Sequence, residues 1–422
     1  MPGDASKAAA IIGAAEANDI GYPQTPKSSL TLHIEAINNV CEMTGIPIKA
    51  IDGIFSAGWS PQLAEYLGLH PKYIDTTAVG GCSFEMHVHH ALAAIHAGVI
   101  DVALVSHGEM GFSQRFTQGK GTGRPGGAGD PWDPGVQHTM AYGLGGAPTS
   151  YSHALNRHMA RYGTTQEDFA EIAVVTREWA TLNPRAVMYR KAGEGDLPAL
   201  EQGEWGGGKR GHTFGGPITV DTVMNSRPIS WPIKLLDVCL VTDHGGAVLI
   251  TGPEIAKTSK TPPVWIAGAG ESISHWNMLE MGEFTKTSAS RSAAAAYKMA
   301  GMGPEDMDMA MIYDSFTVTA GITAEMLGLA PAGEGFRLWK DRHAAPGGRL
   351  PINTNGGGLS FNHSGMYGMQ LLVEAYRQLS GTAEDDGFSG DPGKQTSARS
   401  CIVNGTGGSL STTGTLVLVS DD

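Results

Sequence analysis

The apolar positions of the chain fall into two rhythms. Short runs with no polar alternation, Asp101 to Val105, Ala247 to Ile250, Val264 to Ala267 and Thr415 to Val419, predict strands buried on both faces. Elsewhere apolar residues return every three or four positions. Phe84, Val88, Ala91, Leu92 and Ile95 predict one helix, and Phe169, Ile172, Ala173, Thr176 and Trp179 predict another, with Thr164 and Glu167 as its capping box. Strands alternating with helices imply an α/β sheet.

The pattern occurs twice. AEYLGLHP, Ala64 to Pro71, returns as AEMLGLAP, Ala324 to Pro331, with six of eight residues identical. GGCSFE, Gly80 to Glu85, returns as GGLSFN, Gly357 to Asn362, with four of six identical and in the same order. A repeat this long suggests two similar α/β halves rather than a solenoid. TGPEIAKTSKTP fits as the junction, giving a first half over 1–255 and a second over 263–422. The first half includes a glycine-rich region at about 111–216, with insertions from Phe116 to Gly135 and from Lys191 to Gly216. These read either as surface decoration or as loops covering a substrate.

Composition narrows the function. A chain of 422 residues with 41% hydrophobic content is large enough for two core-forming halves. A net charge of −13 argues against a general nucleic-acid or membrane-surface binder, although Lys209-Arg210 is a local basic spot. The start, MPGDASKAAAIIGAAEAND, lacks the signature of a secretion signal, and no run reaches membrane-spanning length, so a cytoplasmic location is expected. The four cysteines, Cys41, Cys82, Cys239 and Cys401, form no CxxC pair, which excludes a disulfide framework and a zinc ribbon.

Cys82 has a particular setting. If 74–78 is a strand and Ser83 opens a helix, the Gly80-Gly81 pair makes a sharp elbow and Cys82 sits at the helix N-terminus. Free N–H groups there favour a thiolate and can hold an oxyanion. The alternative is a small buried apolar residue, as read for Cys41 and Cys239. The repeat adds a partner, because the matching elbow is followed by His363, and two facing elbows would bring a base to Cys82.

His87, His89 and His90 invite a metal reading, but 87 and 90 share a helix face while 89 points elsewhere, and no HExxH set completes a site; no metal is expected. His107 ends a strand and could border a pocket. His244 reads as a structural hydrogen bond in a turn. Neither GTGRPGGAG nor GTGGS has the context of a nucleotide-binding loop. The GTGG turn does allow close backbone approach to a ligand, so an N–H from Gly407 could pair with that of Cys82 as an oxyanion hole.

GGCSF around Cys82, SFNHSG around His363, CIVNGTGGSLS from Cys401 to Ser411, DHGGA from Asp243 and YDSFT from Tyr313 together resemble the thiolase superfamily over nearly the whole chain. IYDSFT, LLDVCLVTD, INTNGGGLSF and GTGGSLSTTGTLVL are more similar to its lipid-transfer-protein-like branch, which includes steroid side-chain aldolases and the thiolase subunit that cleaves benzoylsuccinyl-CoA. The resemblance implies a duplicated, five-layered αβαβα fold, a homodimer, no bound cofactor, coenzyme A as co-substrate, and a small partner subunit with a zinc ribbon and an OB-like fold. It implies a thiolase-type acyltransferase. Cys82 would attack a 3-oxoacyl-CoA with a bulky or aromatic acyl chain, His363 would assist, and Tyr313 would reprotonate the enolate in a catabolic cleavage by CoA. Asn362, Tyr367, Asn404, Cys401 and His107 are secondary site candidates.

The chain also departs from the thiolase pattern. NHSGMYG replaces the usual GHPxGxSG, Cys401 lies four residues before Gly405, and Tyr313 stands where thiolases have asparagine. Related aldolases use tyrosines at such positions, so Tyr313 with Tyr367 or His363 gives a second reading, retro-aldol cleavage of a 3-hydroxyacyl-CoA. A non-catalytic acyl-CoA or lipid carrier is the third.

Overall fold

In a computed structural model describing residues 5–23, 25–114, 135–144, 146–189, 215–276, 278–383 and 393–421, the apolar runs become the strands of one mixed sheet. The first half supplies β1 (Ala10–Glu16), β2 (Gly53–Phe55), β3 (Tyr73–Asp75), β4 (Val102–Met110) and, after a small ribbon of β5 (Pro228–Ser230) and β6 (Ile233–Lys234), β7 (Asp243–Thr251). The second half supplies β8 (Val264–Ile273), β9 (Met309–Ile312), β10 (Ser400–Gly407) and β11 (Thr412–Ser420).

The spatial order is β3-β2-β4-β7-β1, then β8-β11-β10-β9, and Ile352 bridges in parallel to β9 at the far edge. Each half therefore runs third, second, fourth, fifth, first. Strand directions match too: the second pairs in parallel with the third and fourth, and the fifth is antiparallel to the fourth and first. The two halves join where Ala10 and Ile11 of β1 pair with Trp265 and Val264 of β8.

Helices make the other layers. α1 (Ser29–Thr44) and α2 (Ser60–Leu67) cover the first-half strands, and α6 (Ala289–Ala300) covers β8 and β11. Between the halves lie α3 (Ser83–His96) and α8 (Gly368–Leu379), each touching strands of both. This is the five-layered duplicated fold expected from the sequence. A central helix has no solvent face, and α8 is buried at all twelve positions. Its polar residues are consequently paired: Glu374 with Lys394 at 2.7 Å, and Arg377 with Glu16 at 3.2 Å.

The repeated octapeptides end equivalent helices. α2 stops at Gly68 with φ +65°, and α7 (Thr317–Met326) is followed by Gly328 with φ +77°, a left-handed conformation that favours glycine. α4 (Ala147–Tyr162) and α5 (Gln166–Ala180) pack beside α7.

Two local readings change. The capping box of α5 is Thr165 with Asp168, one residue later than expected, because Thr165 has the extended backbone (φ −120°, ψ 170°) that lets its hydroxyl accept from Asp168 N. Asp243 and His244 open β7 rather than forming a turn: Asp243 Oδ1 accepts from the Phe112 and Ser113 N–H groups, and His244 Nε2 faces Glu16 at 3.5 Å. Most of both glycine-rich insertions lies outside the described residues. Among the described residues no helix is long and apolar enough to cross a membrane.

Candidate active site

The elbow forms as its glycines dictate. Gly80 has φ +90°, and a Cβ there would meet Gly408 N at 2.9 Å; a Cβ at Gly81 would overlap the Tyr313 ring. The Ser83 hydroxyl ties the turn by donating to Gly80 O at 2.6 Å and accepting from Val79 N at 3.0 Å. Cys82 consequently stands at the N-cap of α3. The GTGG turn arrives from β10, close enough that a Cβ at Gly407 would lie 2.9 Å from the Cys82 sulfur. Thr412 Oγ1 donates to Val79 O at 3.1 Å, fixing the turn to the elbow.

Cys82 is fully enclosed. Burial, with the neighbouring Glu85 charge next in weight, pushes its thiol up to about 12, against the pull of the helix N-terminus.

The second elbow carries Gly356 at φ +104° and Gly357 at φ +63° into a turn over Gly357–Phe361. Asp314 holds this turn, accepting from Gly358 N at 2.6 Å and Leu359 N at 3.4 Å, and burial raises its carboxyl to about 7. The turn delivers His363, whose N–H donates to Thr242 Oγ1 at 2.8 Å.

Tyr313, at the end of β9, links the two elbows. Its ring lies on Gly81, and its hydroxyl is hydrogen-bonded to His363 Nε2 at 3.0 Å and accepts from Tyr367 N at 3.2 Å. Burial raises the Tyr313 phenol well above its ordinary value, so it holds its proton at rest. The Tyr367 ring is parallel to His363, with centroids 6.1 Å apart, but its hydroxyl turns away and donates to Asn355 Oδ1 at 2.9 Å.

The remaining candidates are spread around this centre. His107 Nε2 lies 3.1 Å from Ser364 Oγ, beside the histidine turn. Asn362 braces the turn by donating to Asp243 O, and Asn404 receives Tyr313 N on its carbonyl while its amide donates to Thr415 Oγ1. Cys401 is buried near the other end of β10, roughly 20 Å from Gly407 at 3.3 Å per residue, and so does not reach the elbow. Of the three histidines on α3, His90 bonds Asp75 at 2.5 Å and approaches Glu271 at 3.3 Å, His89 approaches Glu271 at 3.9 Å, and His87 is buried. Among the described residues no group of three or more His, Cys, Asp or Glu could hold a metal.

The sequence reading missed Glu109, whose carboxylate accepts from Met366 N at 3.0 Å and crowds Gly365, and Tyr151, buried with its hydroxyl on Gly408 O at 3.3 Å. Glu109 could have been noticed as an acid closing an apolar strand; Tyr151 carries no such signal.

Paired elbows on a duplicated sheet, with a cysteine on one and a histidine on the other, define a thiolase-like protein. Residues 270–420 match the family described as thiolase C-terminal domain-like. The chain is 28% identical over 414 residues to a steroid side-chain-cleaving aldolase of Thermomonospora curvata, covering 94% of this chain and 96% of that one. It is 29% identical to the benzoylsuccinyl-CoA thiolase subunit BbsB of Thauera aromatica over 54% of this chain and 53% of the relative. A solved Ltp2-ChsH2(DUF35) aldolase superposes with a TM-score of 0.81 at 26% identity, covering 99% of this chain and 98% of the other. The chain has a thiolase-like fold and is similar to thiolases and to steroid side-chain aldolases.

Proposed function

We propose that the chain cleaves a 3-hydroxyacyl-CoA by a retro-aldol reaction, giving a carbonyl compound and a shortened acyl-CoA. The observation that carries this is the hydrogen bond between Tyr313 Oη and His363 Nε2, set beside an enclosed Cys82 whose thiol is pushed up by burial. The order of the two enzymatic readings is thus reversed from that given by the sequence.

The substrate 3-hydroxyl gives its proton to Tyr313 Oη while Tyr313 passes its own to His363 Nε2. Such a relay spares the buried phenol from ionising first. The C2–C3 bond breaks, C3 becomes the carbonyl carbon, and the electron pair moves into a thioester enolate. The N–H groups of Cys82 and Gly407 hold its oxygen. The proton then returns from His363 through Tyr313 to C2, so the atoms balance without a co-reactant. Tyr367 positions Tyr313 through its backbone N–H.

The near full-length similarity to a steroid side-chain-cleaving aldolase supports this reading and suggests a bulky acyl chain. Similarity to an aldolase assembled with a second protein supports a small partner subunit. The test is to incubate the chain, with any co-purifying partner, with a panel of 3-hydroxyacyl-CoA esters and to follow carbonyl product and shortened acyl-CoA. Binding of the panel without either product would point to the carrier reading instead.

One observation favours thiolysis as the second reading. Cys82 stands at a helix N-terminus against the Gly407 backbone, the placement an acyl-enzyme needs.

A further inference from the structure

Glu85 lies one turn into α3, three residues after Cys82, and is completely buried. Neither carboxyl oxygen has a hydrogen-bond partner among the described residues. Room for the side chain is made by glycines from three elements. A Cβ at Gly368, the first residue of α8, would stand 2.6 Å from Oε2 and 2.8 Å from Oε1; one at Gly405 of β10 would overlap Oε2; and one at Gly414 of β11 would press on the Glu85 Cβ at 2.8 Å. The Cβ built on Gly405 also lies 2.7 Å from Cys82 Cα, which puts the carboxyl against the back of the elbow.

We propose that Glu85 is a positioning residue that works in its protonated form, keeping the space behind Cys82 free of negative charge so that the elbow can accept an anionic oxygen. The proposal rests on the reaction assigned above. A buried carboxylate needs a cation or several donors, whereas the only donor acting on this one among the described residues is the Glu85 backbone N–H, which burial outweighs. On the helix of Glu85, Cys82 stands one turn before it and His89 one turn after, with His87 and His90 alongside; β10 carries Cys401, β11 carries none, and Tyr367 stands at the start of α8 with Glu374, Tyr376 and Arg377 further along it. Glu374 and Arg377 are engaged with Lys394 and Glu16. Glu271 on β8 would add only negative charge. Burial lifts the Glu85 carboxyl to about 8. Below that value the elbow is neutral, and above it an ionised Glu85 opposes both a Cys82 thiolate and a bound enolate.

The test compares the whole chain with Glu85→Gln between about pH 6 and about pH 10. Infrared difference spectra read the carboxyl, and carbonyl release from the 3-hydroxyacyl-CoA panel reads the rate. The expected result is a protonated-carboxyl stretch present in the wild type, missing from the variant, and lost with a midpoint near 8. Over the same range the wild-type rate falls roughly tenfold per pH unit above the midpoint, and the variant's does not. An ionised carboxylate at neutral pH, or an alkaline decline identical in both proteins, overturns the proposal. Should the variant not fold, wild-type protein with carbon-13 in its glutamate carboxyls gives the same band, shifted by the isotope and separated from aspartates such as Asp314. Absence of turnover with the panel would count against the reaction, whereas the band and its midpoint bear on the charge of Glu85 alone.

Discussion

Tyr313 and His363 meet at 3.0 Å although they come from different segments of the second half, and the contact exists because Gly81 has no side chain. The strand end that places the tyrosine and the glycine turn that places the histidine are both built from buried backbone. That rigidity suits a proton relay, whose rate depends on donor and acceptor staying within hydrogen-bond reach.

Removing the relay hydroxyl while keeping the ring gives the clearest loss. Tyr313→Phe retains the contact with Gly81 and is expected to lower kcat about 100-fold to 1,000-fold. Steady-state rates of carbonyl release measure it, with circular dichroism confirming the fold.

Tyr367→Phe separates a positioning tyrosine from a reacting one. Its hydroxyl serves Asn355, while the donor to Tyr313 is its backbone N–H, which the substitution keeps. Stability should fall by about 1 kcal/mol in chemical denaturation, with kcat reduced less than about tenfold. A loss as large as that of Tyr313→Phe would place the Tyr367 hydroxyl in the proton path.

Gly81→Ala tests the elbow. The new methyl overlaps the Tyr313 ring, so the tyrosine must move. A stability cost of about 1–3 kcal/mol is expected. Kcat should fall at least roughly tenfold, because small misplacements of reacting groups are amplified in rate.

The buried Glu374–Lys394 pair gives a pH prediction outside the site. Burial opposes ionisation of Glu374, but the Lys394 ammonium at 2.7 Å, with Gln378 and Thr354, outweighs it and lowers the carboxyl below its ordinary value. A lowered carboxyl contributes stability that is present above its unfolded value of 4.5 and lost as pH falls through the folded one. Glu374→Gln leaves Lys394 buried without a counter-charge, so it should cost about 3 kcal/mol near neutrality and flatten the acid limb of the stability curve. Denaturant midpoints at several pH values would show this.

Much of the architecture was legible because its signals are local or repeated. Gly80-Gly81 before a helical spacing located the elbow, and its echo at Gly357 located His363. YDSFT placed Tyr313. The features that escaped depend on distant backbone. Whether Glu85 can be buried is decided by Gly368, Gly405 and Gly414, none of which is near it in sequence. The direction of the Tyr367 hydroxyl is set by Asn355, and the weakness of Cys82 as a resting nucleophile by its enclosure. His244 looked like a turn residue because a polar group inside a strand needs a partner, and that partner, Glu16, lies on β1. The start of α5 was misplaced by one residue because Thr164 and Thr165 are chemically equivalent caps, distinguished only by backbone angles.

The most direct measurement sets Cys82→Ala against Tyr313→Phe on the same 3-hydroxyacyl-CoA and 3-oxoacyl-CoA esters, with intact-protein mass spectrometry of the wild type alongside. The account predicts carbonyl release from the 3-hydroxy ester that survives in Cys82→Ala, collapses in Tyr313→Phe, and leaves no acyl mass on the protein. An acyl-sized mass gain from the 3-oxo ester that disappears in Cys82→Ala, together with loss of product in that variant, would contradict it and establish Cys82 as the nucleophile of a thiolase.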